Sequence, residues 1–170
     1  MATTGDRFEM PDGSVYVVAR ASADTGGAEV QMEFVLPVGC VPPPPHVHRD
    51  GVEEYEVLEG RFDVMVDGTW TTLGPGEFAS VPVGALHTFR NRSGATVRVR
   101  NWHRPAMGFD VFIETMYATL RDAGITRPRD PRIPMYLSKV FLDFPGTLQP
   151  GRRREAIPMR ILAGIAKMLP

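Results

Sequence analysis

Gly39-Cys40-Val41-Pro42-Pro43-Pro44-Pro45-His46-Val47-His48-Arg49-Asp50-Gly51-Val52-Glu53-Glu54-Tyr55-Glu56-Val57-Leu58-Glu59-Gly60 is the stretch on which the reading of this chain turns. His46 and His48 are two residues apart, so on an extended strand their imidazoles point to the same side. Glu53 and Tyr55 repeat that parity in a run that ends at the turn residue Gly60. A second stretch, Gly76 to Asn91, carries Pro82-Val83-Gly84, two residues, His87 and then Phe89. Three of the four histidines thus fall, with one glutamate, into a spacing that a metal site explains. Neutral imidazoles and a carboxylate make a mixed nitrogen and oxygen donor set suited to Fe, Mn, Ni, Cu or Zn. No thiolate takes part, which argues against a closed structural zinc site. Four protein ligands around an ion that accepts five or six leave room for water, dioxygen or substrate.

Glu54 competes for the carboxylate position, but the six-residue offset to Gly60 selects Glu53. The expected ligands of one divalent ion per chain are therefore His46, His48, Glu53 and His87.

The surrounding sequence reads as short strands between turn signals. Candidates are 14–20, 29–36, 46–48, 53–59, 61–66, 69–73, 77–81, 87–91 and 96–103. Dense glycine punctuation between strands this short signals an antiparallel sandwich or barrel. Asp67-Gly68 between Val64-Met65-Val66 and Thr69-Trp70 is a plain hairpin, since that pair accepts the positive φ angles a tight turn needs. After residue 107 the period changes. Phe109, Phe112, Ile113, Met116, Tyr117 and Leu120 recur at helical spacing, and Gly124 is a stop. Leu137, Val140, Phe141 and Phe144 repeat the pattern before Pro145, and Ile157, Ile161, Leu162, Ile165 and Leu169 form a third run.

These two motifs resemble the paired motifs of the cupin superfamily, with the first at residues 39–60 and the second at 76–91. The one departure is a proline run that places six residues rather than five between Gly39 and His46. The resemblance implies an all-β, jelly-roll (double-stranded β-helix) barrel over residues 1–107, followed by two or three α-helices over 108–170. It also implies a divalent-metal-binding protein, with oxygenases, oxalate-cleaving enzymes and isomerases among the relatives. The expected function is a metal-dependent, dioxygenase-like oxidoreductase. A non-catalytic metal- or small-molecule-binding module and a Lewis-acid cyclase or isomerase are the alternatives.

Strand parity nominates a pocket lined by Met32, Phe34, Leu36, Tyr55, Val57, Phe89, Asn101 and His103, an interior suited to an apolar or aromatic ligand. Tyr55 and His103 are the candidates for acid or base, with no catalytic residue assigned among them. On the last strand Val97, Val99, Asn101 and His103 share one face, opposite Arg98, Arg100 and Trp102.

At 170 residues the chain is long enough for one sizeable core. A net charge of −1 creates no field favouring nucleic acid or an anionic membrane. The single cysteine, Cys40, excludes an internal disulfide and suits a small buried apolar role. No run of about eighteen apolar residues and no signal peptide is visible, so a cytoplasmic location is expected. The cluster Arg152-Arg153-Arg154 and the helix after it, with Arg160 and Lys167, read as a cationic turn and a packing helix rather than a nucleic-acid or membrane surface. A homodimer and a small-molecule ligand are the expected partners.

Overall fold

The computed structural model describes residues 1–151 and 156–166. Arg152-Arg153-Arg154, Lys167 and Leu169, with the side chains of Ile157 and Arg160, lie outside the described residues.

Among the described residues, eleven strands form two antiparallel sheets. One sheet joins β1 (Arg7–Glu9), β2 (Val15–Arg20), β3 (Val30–Leu36), β10 (Val97–Arg104), β5 (Val52–Glu59) and β8 (Phe78–Val81), in that spatial order. The other joins β11 (Gln149–Pro150), β4 (His46–Val47), β9 (His87–Arg90), β6 (Phe62–Val66) and β7 (Thr69–Leu73). The two sheets face each other as the jelly-roll barrel that the turn spacing predicts, and α-helices follow: α1 (Phe109–Asp122), α2 (Ile133–Asp143) and α3 (Ala156–Ala166).

Period-two patterning drives the layering. Along β3 every second residue is buried, with Val30, Met32, Phe34 and Leu36 inside. On β10 Val97, Val99, Asn101 and His103 face inward while Arg98, Arg100 and Trp102 face out, as their parity predicts. The outer face of β10 is a charge ladder: Arg98 meets Glu33, Arg100 meets Glu56, and Arg104 meets Glu29 and Glu54. Such exposed pairs contribute little stability each but keep the outer face polar.

Two glycines are dictated by geometry. At Gly60 (φ +83°) an added Cβ would lie 2.9 Å from the Thr96 carbonyl oxygen, so no larger residue fits the close approach of the two chain segments. Asp67 and Gly68 both have positive φ, 48° and 86°, which is the type I′ turn that matches the twist of the β6–β7 hairpin.

The strands β1 and β11 do not stand out in the sequence, being three and two residues long. β11 matters most, because it adds a strand from beyond α2 to the edge of β4, pairing Gln149 with Val47 and Pro150 with His46. Residues after 107 therefore contribute to a barrel sheet as well as to the helices.

Helix α1 is fastened at its start. The buried Asp110 carboxylate accepts hydrogen bonds from the Ser22 amide and hydroxyl at 2.8 Å. A carboxylate in the first turn also meets the positive end of the helix dipole. Phe109 and Phe112 on this helix pack over the barrel mouth, Phe109 against Phe34 and Phe112 against Phe141 of α2.

Candidate metal centre

The histidines and glutamate arrive from both sheets. His46 on β4 stands directly opposite His87 on β9, and His48 follows immediately after β4. Glu53 comes from β5 across the barrel. One ligand-capable atom from each of His46, His48, Glu53 and His87 lies within 4.8 Å of the others, and all four residues are buried. Glu54 points outward to Arg104, as its opposite parity requires. The two motifs thus bring together all four residues that their spacing nominates.

Backbone carbonyls fix the tautomer of every one of these imidazoles. His46 Nδ1 donates to the Pro44 carbonyl at 2.9 Å, His87 Nδ1 to the Ala85 carbonyl at 3.0 Å, and His48 Nδ1 to the Thr147 carbonyl. A carbonyl oxygen only accepts, so each proton sits on Nδ1 and each Nε2 keeps its lone pair. His48 Nε2 lies 3.2 Å and His87 Nε2 2.8 Å from Glu53 Oε2. Among the described residues His87 Nε2 has no aligned hydrogen bond despite that approach. Several lone pairs meeting in a buried space repel one another unless a cation lies among them. This donor set, oriented by outer hydrogen bonds, fits a divalent transition metal.

The carboxylate is divided between two tasks. Glu53 Oε1 accepts a hydrogen bond from Asn101 Nδ2 at 2.9 Å and lies 3.3 Å from His103 Nε2. Oε2 faces the imidazoles. Burial works against the charge on Glu53, but the neighbouring imidazoles, His103 first, outweigh it and hold the carboxyl well below its ordinary range. Burial, then the nearby His87, pushes His46 down to about 3, so it is neutral at physiological pH. Burial and the Glu53 charge push the Tyr55 phenol up, and it stays protonated.

A cavity of about 190 Å³ opens above the cluster, between the barrel mouth and helices α1 and α2. His46 and Glu53 form part of its wall. Of the pocket residues nominated by parity, Phe34 and Phe89 line it. Met32, Leu36, Tyr55, Val57, Asn101 and His103 do not; they are packed in the barrel interior. The physical reason is the helical cap. Phe109 stacks on His103 at 3.8 Å between ring centres, covering that end of β10 and moving the open space toward β2 and β3. Parity locates the inward face of a strand but not which part of that face a helix later covers. More of the wall comes from α1 (Phe112, Ile113, Met116), α2 (Leu137, Phe141), the proline loop, and Asp12 and Tyr16 near the start of the chain. The stripe of Phe109, Phe112, Ile113, Met116, Tyr117 and Leu120 stands out in the sequence by its helical spacing, which does not tell a ligand wall from packing.

Three imidazoles and one carboxylate converging from the two sheets of a β-barrel define a jelly-roll protein with a candidate metal site. Residues 32–103 match the family model described as a cupin domain. Over those residues the chain is similar to the cupin superfamily, and the fold of the whole barrel agrees. A 53-residue stretch is 38% identical to the quercetin 2,3-dioxygenase of Bacillus subtilis (strain 168), covering 31% of this chain and 16% of that protein. Another 53-residue match, 34% identical, is to an uncharacterised protein of Aquifex aeolicus (strain VF5), covering 31% of this chain and 44% of that one. The chain thus spans less than half the length of either curated relative. Among solved structures, TT1209 from Thermus thermophilus superposes with a TM-score of 0.51 at 26% identity, covering 58% of this chain and 89% of that one. A predicted oxalate decarboxylase from Thermotoga maritima gives 0.53 at 15% identity, covering 62% and 99%, and that likeness concerns the fold alone. Among the described residues no helix is long and apolar enough to cross a membrane.

Proposed function

We propose that the chain is a metal-dependent oxidoreductase of the dioxygenase type, acting on a small apolar, aromatic or enolisable substrate. The observation that carries this reading is the placement of His46 and Glu53 in the wall of a mostly apolar cavity. A ligand bound there sits against two of the four candidate metal ligands. The local similarity to a protein named quercetin 2,3-dioxygenase supports the same class of chemistry.

A divalent ion held by His46, His48, Glu53 and His87 would supply Lewis acidity and a site where substrate oxygen and dioxygen meet. The chain's own residues do the rest. The three carbonyl-anchored imidazoles present fixed lone pairs, so little reorganisation accompanies binding. Asn101 holds Glu53 Oε1, leaving Oε2 to face the imidazoles. Phe34, Phe89 and Phe109 exclude water and orient a flat ligand. Tyr55 and His103 are walled off from the cavity, so neither reaches substrate to move a proton.

That same shortage of acid and base groups favours a second reading, a module that binds its ligand at the metal without turning it over. An oxygen electrode separates the two. Protein loaded with Fe, Mn, Ni or Cu consumes oxygen in the presence of enolisable aromatic compounds if the oxygenase reading holds. Tight binding with no oxygen uptake by any of the four loaded forms would leave the binding module.

A further inference from the structure

The cavity has one polar feature that the metal centre does not use. Tyr16 lies on β2 directly across from Phe34 on β3, so both side chains point to the same face, and the two rings meet edge-on at 4.9 Å. Both line the cavity. Among the described residues the Tyr16 hydroxyl has no hydrogen-bond partner, and the residue is only partly buried. An unspent phenol in an apolar wall is the kind of group that orients a ligand.

The carboxylate of Asp12, also in the cavity wall, is engaged with the backbone. Asp12 Oδ1 accepts from the Ser14 amide at 2.9 Å, and Oδ2 accepts from the Val41 amide at 2.8 Å. The carboxylate is thereby committed to pinning the proline loop against the β1–β2 turn. Its charge nonetheless faces the cavity, whose described lining holds no arginine or lysine. In the metal-free chain an anionic ligand would find no counter-charge there. Burial, with the Asp12 charge, pushes the Tyr16 phenol well above its ordinary value, so it remains a donor.

Size and shape narrow the ligand further. An apolar cavity of about 150 Å³ accommodates benzene, and this one is about 190 Å³. Its walls include the rings of Phe34, Phe89 and Phe109, the latter two tilted by only 33° and 35° from Phe34. We propose that Tyr16 is the substrate's polar handle, and that the substrate is an uncharged molecule of one or two aromatic rings with an acceptor oxygen directed toward β2. This rests on the reading of the cavity as the substrate site, not on the identity of the metal or of the reaction.

The test is calorimetric titration of the full-length metal-free chain, and of Tyr16→Phe, with acetophenone, ethylbenzene and benzoate. The first two differ in little but the carbonyl, and the third adds a negative charge. Acetophenone should bind the wild type about three- to tenfold more tightly than ethylbenzene, the worth of one hydrogen bond. Tyr16→Phe should abolish that preference and leave ethylbenzene binding unchanged, which also shows the cavity intact. Benzoate should bind more weakly than acetophenone. Equal wild-type affinities for acetophenone and ethylbenzene, or a preference that survives in Tyr16→Phe, would overturn the handle. Benzoate binding best would overturn the uncharged class. Heat from none of the three would overturn the aromatic site itself, while metal content and oxygen uptake test the metal reading separately.

Discussion

Glu53 is the residue on which the centre is balanced. Its Oε1 is occupied by Asn101 and its Oε2 confronts imidazole lone pairs, so the amide of Asn101 decides which oxygen is offered inward. Asn101→Ala removes the donor and is expected to weaken metal binding about tenfold, the usual cost of losing an outer hydrogen bond to a ligand. Competition against a chromophoric chelator measures this, and undiminished affinity would show that Asn101 does not orient the carboxylate. Tyr55 makes the opposite case. Among the described residues its buried hydroxyl has no hydrogen-bond partner, so Tyr55→Phe is expected to raise the unfolding free energy by about 1 kcal/mol. A loss of stability in urea unfolding would instead mean that the hydroxyl is paired. The four candidate ligands were legible in the sequence because their spacing and parity are local properties of short strands. Asn101 was legible only as an inward-facing residue. Its partner lies 48 positions away, and no local pattern records that meeting.

At the scale of elements, strands and helices followed from periodicity, with ends shifted by a residue or so. What periodicity did not reveal was how the elements after residue 107 return to the barrel. The carbonyl that fixes His48 belongs to Thr147, 99 residues away, whereas His46 and His87 use carbonyls two residues before themselves. Thr147 is held in turn by its hydroxyl, which donates to the Met107 carbonyl, and by the pairing of β11 with β4. A two-residue strand carries no period, so this link could not be read in advance. The cap itself depends on the junction of Asp110 with Ser22. Asp110→Ala strands the Ser22 amide and hydroxyl beneath α1 and is expected to cost about 2 kcal/mol of stability. Denaturant unfolding reports it. A change below about 0.5 kcal/mol would show that apolar packing alone holds the helix.

For the whole molecule, the buried polar cluster sets the response of the metal-free protein to pH. His46 is held near 3 against an ordinary 6.5, so the fold favours its neutral form. That contribution is complete above pH 6.5 and is lost as pH falls toward 3. His103, lowered by its burial, acts in the same direction. Glu53, held well below its ordinary 4.5, joins them below that value. His87 works the other way: burial lowers its pKa, but Glu53 outweighs burial and raises it. Its contribution is complete below 6.5 and fades as pH rises through the raised value. The melting temperature of the metal-free protein is therefore expected to fall steadily from about pH 6.5 to about pH 4, a window in which His87 adds no slope of its own. A flat profile across that window would contradict the burial of a neutral His46. The proposed chemistry depends on whether four side chains from two sheets hold an ion. Elemental analysis of the full-length protein, purified without added metal, beside His87→Ala asks that directly. The expected result is close to one first-row divalent ion per chain in the wild type, with affinity at least about tenfold lower in the variant, which still folds. A wild type that neither carries nor takes up such an ion, or a His87→Ala protein that binds it equally well, would contradict the metal centre.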